Sequence, residues 1–138
     1  TIVVRPTEKV LELKTLLNLE RRYPKKPMVT IPFPQSEAVL TADARSGLDS
    51  LARHLKARQG LKIMIQGHTD NLGDAQKNIL LSWERVLVVK SYLIERGIHP
   101  DRMDGKGYGS VRPVKNNILD HTRQYNRRVE IWEWVENR

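Results

Sequence analysis

Cysteine is absent from all 138 residues. Disulfides and thiolate metal sites are therefore excluded, although the compartment stays open. Histidine is scarce: His54, His68, His99 and His121 make up the set, and none stands four residues from another on one helix, so spacing assembles no metal site. With one Phe, four Tyr and three Trp, the aromatics form no recognised RNA- or DNA-binding motif, and nucleic acid is not an expected partner. No serine or cysteine nucleophile constellation stands out, so catalysis and a cofactor are not expected. No apolar run reaches the length of a membrane span, and no signal pattern is visible. An exported protein is then expected to appear here as a mature form or fragment, tethered to a membrane by a segment not in this chain.

Positive charge is plentiful. Twenty-four Lys and Arg oppose 16 Asp and Glu, for a formal net charge of +8. Nucleic acid, anionic lipid or a carboxylate-rich cell-wall polymer would each suit such a surface, as would no partner beyond water. The length suits one domain with a real core.

The chain is organised around Ile63-Met64-Ile65-Gln66-Gly67-His68-Thr69-Asp70. Ile63 and Ile65 alternate with Met64 and Gln66, as in a strand. Gly67 and Gly73 punctuate a polar turn. Asp70 thus falls at the carboxyl end of a strand, where open α/β sheets place ligands. A helix follows over about Asp74 to Arg96, with apolar Ile79, Leu80, Trp83, Val86, Leu87, Leu93 and Ile94. The run Val86-Leu87-Val88-Val89 implies burial on more than one face. Asn78, Ser82 and Arg85 lie in one line on that helix, so Asp70 and Arg85 can face a common pocket. Spacing alone leaves open whether they bind a ligand or form an internal salt bridge, with Asp70 also serving as a helix-entry acid.

At these residues the chain resembles a known family. Gly67-His68-Thr69-Asp70-Asn71-x-Gly73, Asn78, Leu81-Ser82-x-x-Arg85, Ser91-Tyr92-Leu93, Gly97-Ile98, Gly107-Tyr108-Gly109, Arg112-Pro113 and Asn126-Arg127-Arg128-Val129-Glu130-Ile131 together resemble the OmpA-like peptidoglycan-binding domain. Each piece alone is weak, but the ordered set is specific and covers roughly Met28 to Val135. Val86 departs from the small residue usual in the family. The resemblance implies an envelope location in a diderm bacterium, in the periplasm. It also implies capture of diaminopimelate in the peptidoglycan stem peptide. Asp70 would accept from the ligand ammonium and Arg85 would fork onto its carboxylate. Thr69 and Asn78 would add neutral hydrogen bonds, and Arg127 matches a further position near the ligand. The alternative is a docking or dimerisation module of an envelope machine, with envelope proteins or a second copy as partner and no peptidoglycan affinity.

The remaining chain predicts the scaffold. Residues 1–27 read as an extension: a short strand, a helix from Thr7 to about Arg21, and a basic proline-broken connector. Residues 28–138 form the domain. Met28 to Phe33 predicts an edge strand because Pro32 cannot donate to a ladder. Thr41 caps a helix whose Ala44, Leu48, Leu51, Ala52 and Leu55 make a buried stripe, closed by Gly60. Its outer positions Asp43, Arg45, Asp49, Arg53 and Lys56, with His54, are expected to be solvated. Gly97 stops the central helix. Arg102 to Lys106 predicts a strand, the glycines of 105–109 a sharp bend, Leu119 to Asn126 a short helix, and Arg127 to Val135 the last strand. Trp132 and Trp134 are assigned to core or interface packing. The expected fold is α/β: a βαβαβ-type OmpA-like sandwich, a small mixed sheet with helices on one face.

Overall fold

The computed structural model describes residues 26–134. The predicted strand and helix of the amino-terminal extension, and the end of the last strand at Val135, lie outside the described residues. Four strands form one sheet: β1 (Val29–Pro32), β2 (Lys62–His68), β3 (Met103–Gly107) and β4 (Arg128–Trp134). Helix α1 (Ala42–Ala57) joins β1 to β2, α2 (Ala75–Glu95) joins β2 to β3, and the single turn α3 (Asp120–Arg123) precedes β4.

The strand order is β1-β4-β2-β3. β4 runs antiparallel to both β1 and β2, while β2 and β3 pair in parallel, Ile63 opposite Met103. β1, β2 and β3 therefore end at one edge, and β4 starts there. Side chains from all four strands are thereby brought to one edge of the sheet. Pro32 sits on edge strand β1, where its missing donor costs no ladder bond.

The core lies between one sheet face and the two long helices. Ile31, Ile63, Ile65, Met103, Val129 and Ile131 meet the predicted α1 stripe of Ala44, Leu48, Leu51, Ala52 and Leu55. Each fully buried Leu or Ile contributes roughly 1.5–3 kcal/mol. The fold class is the expected one. Thr41 caps α1 by accepting the Ala44 N–H, and Gly97 takes the left-handed conformation, φ 94°, after α2.

Several local expectations need correction. α1 ends at Arg58, whose N–H reaches His54 O, before Gly60 is reached. The helix expected over Leu119 to Asn126 is one turn, Asp120–Arg123; the chain after it continues as tight turns, Tyr125 N–H donating to Thr122 O and Asn126 N–H to Arg123 O. Within the apolar run of α2, Val86 and Val89 are buried but Leu87 is 56% exposed, since its direction on the helix points away from the sheet. Asp49 is only half-exposed because it accepts from Tyr92 and Arg96. Trp132 and Trp134 are half-buried on the sheet face away from the helices, outside the core; Trp132 donates to Glu130.

The glycines of 105–109 do not all form the expected bend. Gly109 is a bend, φ 61°, whereas Gly105 and Gly107 lie within β3. They clear a path for α2. A Cβ at Gly67 would stand 2.1 Å from the Ser82 carbonyl oxygen, and one at Gly107 2.6 Å from Ser82 Oγ. Val86 packs over Gly67 and Gly105, in space that a Cβ on either would take.

Gly67→Ala is expected to lower stability by about 2–3 kcal/mol through overpacking against backbone that cannot yield. Gly60→Ala has nothing within 4 Å and should stay within about 0.5 kcal/mol of the parent. Urea midpoints at unchanged m measure both; equal midpoints for the two variants would refute the close-packing account.

Candidate functional site

Three strand ends and one strand start converge at the sheet edge. β2 delivers His68, Thr69 and Asp70. The Thr69 N–H donates to Gly109 O at 2.9 Å, and Tyr108 N–H to Gly67 O at 2.9 Å, so the parallel pairing continues past both strands. The Thr69 hydroxyl donates to the Asp70 carbonyl at 2.8 Å. Asp70 turns its carboxylate two ways. Oδ1 accepts the Leu72 N–H at 3.0 Å, and Oδ2 accepts from Arg127 Nη1 at 3.2 Å. The helix-entry role falls to Asp74, which accepts from Gln76 and Lys77 N–H. Asn78 donates to Leu72 O at 3.1 Å and pins the same turn.

Arg85 rises from α2 beneath this turn and is 0% exposed. Nη1 donates to His68 O at 2.8 Å, Nη2 to Pro34 O at 2.8 Å and Nε to Glu37 O at 3.0 Å. The Phe33 ring lies 5.3 Å from the guanidinium. The internal Asp70–Arg85 salt bridge considered from spacing does not form; Asp70 pairs with Arg127 instead. Among the described residues no carboxylate makes a salt bridge with Arg85. Burial drags its pKa down to about 10, with Arg127 adding to the fall and the Asp70 charge opposing it. It remains a cation at neutral pH.

Thr69, Asp70, Asn78, Arg85 and Arg127 thus all reach one edge. Asp70 is itself buried, its side chain 6% exposed, and its partner Arg127 is 17% exposed. Arg85 lies below, roofed by the Pro34–Glu37 turn. The turn is invisible to residue-type reasoning because it acts through backbone oxygens. Ser82, in line with Asn78 and Arg85 on α2, has a structural role that residue type alone does not reveal: its hydroxyl donates to Ile79 O and accepts the Gly109 N–H, locking α2 to the bend after β3. Asn126, fully buried, accepts from Val114 and Lys115 N–H and donates to Lys115 O. It fixes the loop that leads to Arg127. Among the described residues no three His, Asp or Glu side chains converge on a point that could hold a metal.

His68 is a neighbour with a different character. It is 1% exposed, its two ring nitrogens have no hydrogen-bond partner, and it stacks on Tyr108 at 5.4 Å. Arg112 lies over the other part of that stack, 3.9 Å from the Tyr108 ring. Arg128, opposite His68 in the β2–β4 ladder, is paired with Glu130 at 2.6 Å. Burial raises the Glu130 carboxyl pKa, but the Arg128 hydrogen bond and charge outweigh it and the net shift is downward.

These features belong to a family. A sequence model of the OmpA family matches residues 32–127, and the chain belongs to the OmpA family. It is 42% identical over 84 residues to the peptidoglycan-binding protein ArfA of Mycobacterium tuberculosis, covering 61% of this chain and 26% of that protein. It is 32% identical over 104 residues to the peptidoglycan-associated lipoprotein of Pseudomonas aeruginosa, covering 75% and 61%. The chain thus spans about a quarter to three-fifths of these relatives' length. The fold matches the crystal structure of the peptidoglycan-associated lipoprotein of Burkholderia pseudomallei, with TM-score 0.74, 24% identity, 76% of this chain and 89% of that one. It also matches the C-terminal domain of Helicobacter pylori MotB, with TM-score 0.73, 22% identity, and coverage of 79% and 86%.

Burial first, then the Arg128 and Arg112 charges, lower the His68 pKa from 6.5 to about 4, with Glu130 opposing. The unfolded chain protonates near 6.5, so below that pH it binds more protons than the folded one and stability falls until about pH 4. Above pH 6.5 the contribution of neutral His68 is complete. His68→Phe keeps a ring on Tyr108 and removes this loss. The stability difference between parent and variant should change by roughly 3 kcal/mol from pH 7 to pH 4. Parallel urea-stability curves over that range would refute the assignment.

Proposed function

We propose that this domain binds peptidoglycan non-covalently through the diaminopimelate residue of a stem peptide, holding an envelope protein or complex to the cell wall. The observation that carries the reading is the convergence of one carboxylate, Asp70, with two guanidiniums, Arg127 and Arg85, at the carboxyl edge of the sheet. The free end of diaminopimelate presents an ammonium beside a carboxylate. Asp70 accepts from the ammonium, and the arginines hold the carboxylate through planar donors that match its two oxygens. Thr69 and Asn78 supply neutral hydrogen bonds and keep the turn in register. No bond is broken and no metal is needed, so the domain binds rather than catalyses. The names of two relatives, a peptidoglycan-binding protein and a peptidoglycan-associated lipoprotein, support the polymer. The reading places the domain in the periplasm of a diderm bacterium. No helix among the described residues is long and apolar enough to cross a membrane.

A second reading has its own observation. Leu80, Trp83, Leu87 and Ile94 form an exposed line on α2, 63%, 40%, 56% and 41% accessible. Such a stripe suits a docking or dimerisation module of an envelope machine.

Calorimetric titration with a diaminopimelate-containing stem peptide separates the two. Asp70→Ala and Arg127→Ala should each weaken binding by roughly 10- to 100-fold, the usual worth of a charge-assisted hydrogen bond. Arg85→Lys, which keeps the charge and loses the fork, should weaken it by a similar factor. A lysine-type peptide is the control. Folded parent protein that shows no binding in moderate salt would overturn the anchoring reading and leave the docking module.

A further inference from the structure

We propose that the Pro34–Glu37 turn is a displaceable plug in the Arg85 fork, and that Ser36 sets the affinity of the site by setting how firmly that plug closes. The inference rests on the reading of Arg85 as a carboxylate receptor. It adds a residue that touches no ligand yet controls access.

Nε and Nη2 form one edge of a guanidinium, and a carboxylate grips such an edge with its two oxygens. In Arg85 that edge is filled by two carbonyl oxygens of one turn, Glu37 O at 3.0 Å and Pro34 O at 2.8 Å. The turn therefore imitates a carboxylate. The remaining contact, Nη1 to His68 O at 2.8 Å, belongs to the end of β2, and breaking it would disturb the sheet. The turn edge is the one a ligand can take.

The turn is also poorly held. Its own closing bond, Glu37 N–H to Pro34 O, is long at 3.4 Å, and Pro34 O is shared with Arg85. Ser36 has φ 59° and is the one non-glycine residue with positive φ among the described residues. An L-residue other than Asn or Asp is strained there. Gln35, Ser36 and Glu37 are exposed, whereas the Arg85 they cover is fully buried. Ser36 also borders a cavity of about 370 Å³ with Leu72, Lys77 and Asn78, so the turn has open space beside it.

Electrostatics favour the exchange. A buried cation satisfied by neutral carbonyls gains from a formal negative charge, and the released carbonyls lie at the surface where water accepts them. The apparent affinity is the intrinsic one multiplied by the fraction of molecules with the turn open. Relieving the strain at Ser36 favours the closed form and lowers affinity; increasing it raises affinity.

The test uses the full chain with Ser36→Gly, Ser36→Asn and Ser36→Val, folding checked by circular dichroism. The probes are a diaminopimelate stem peptide and the same peptide with the free carboxylate amidated. Gly and Asn, which tolerate the left-handed conformation, should weaken binding of the acid by about three- to fivefold, and Val should strengthen it by a similar factor. The amidated peptide should bind all four proteins alike within about twofold, because it cannot replace the plug. Shifts that are equal for acid and amide, or that fail to run in opposite directions for Gly and Val, overturn the proposal. The functional reading fails separately, if the parent binds neither peptide. The plug is then decided by NMR exchange of the Arg85 Nε proton with solvent. Slower exchange in Ser36→Gly and faster exchange in Ser36→Val support it; unchanged rates overturn it.

Discussion

The structure turns on one buried guanidinium. Removing a charge from water costs several kcal/mol even after relaxation, and Arg85 is fully enclosed. The cost is offset only where its donors find oxygens. Those oxygens come from the turn after β1 and the end of β2, while the arginine itself comes from α2. One side chain therefore fixes three segments to each other at the edge where Asp70 and Arg127 stand. Loss of a partner with no oxygen in its place would leave a buried charge unmet, so the three segments stay joined unless another acceptor takes over a donor.

That contact requires α2 to lie unusually near the sheet. Gly67, Gly105 and Gly107 remove side chains where the backbone of Ser82 and the side chains of Trp83 and Val86 come down on β2 and β3. Ser82 then reaches Gly109 N–H at 2.9 Å, and Arg85, one turn further, reaches His68 O. Glycines that read in the sequence as turn and bend residues act as a track. The positive charge of the chain has a comparable local meaning: Arg85, Arg102, Arg127 and Arg128 are each engaged by backbone oxygens or carboxylates rather than spread over the surface.

Much of this was legible in the chain. The alternation through Ile63 and Ile65, the α1 stripe and the caps at Thr41 and Gly97 are local signals, and local physics preserved them. The position of Asp70 after a strand, and the line Asn78-Ser82-Arg85, followed from the two periodicities. The partners of those residues were not legible. Pro34 and Glu37 lie 51 and 48 residues from Arg85 and act through carbonyls, which every residue carries and no sequence pattern marks. The same holds for Asp70: the choice between Arg85 and Arg127 depends on how deep each cation sits, and depth is a tertiary property. Leu87 and Gly60 show the converse, where apolar character and glycine identity suggested burial and a cap that the surrounding geometry did not use.

The charge inventory of the edge bears on which ligand it suits. Asp70 already has a cation in Arg127, whereas Arg85 has only neutral oxygens. A lone carboxylate could meet one arginine but would leave the Asp70–Arg127 pair as it was. A lone ammonium would have to take Asp70 from Arg127 and leave both arginines without an anion. A group carrying both charges on one carbon does better: its ammonium replaces Arg127 at Asp70, and its carboxylate receives the freed Arg127 together with Arg85. One internal pair is exchanged for three intermolecular ones, and no buried charge is stranded. On the proposed reading, selectivity for a zwitterionic end is thus a property of a pre-existing ion pair that only such a ligand can split without loss.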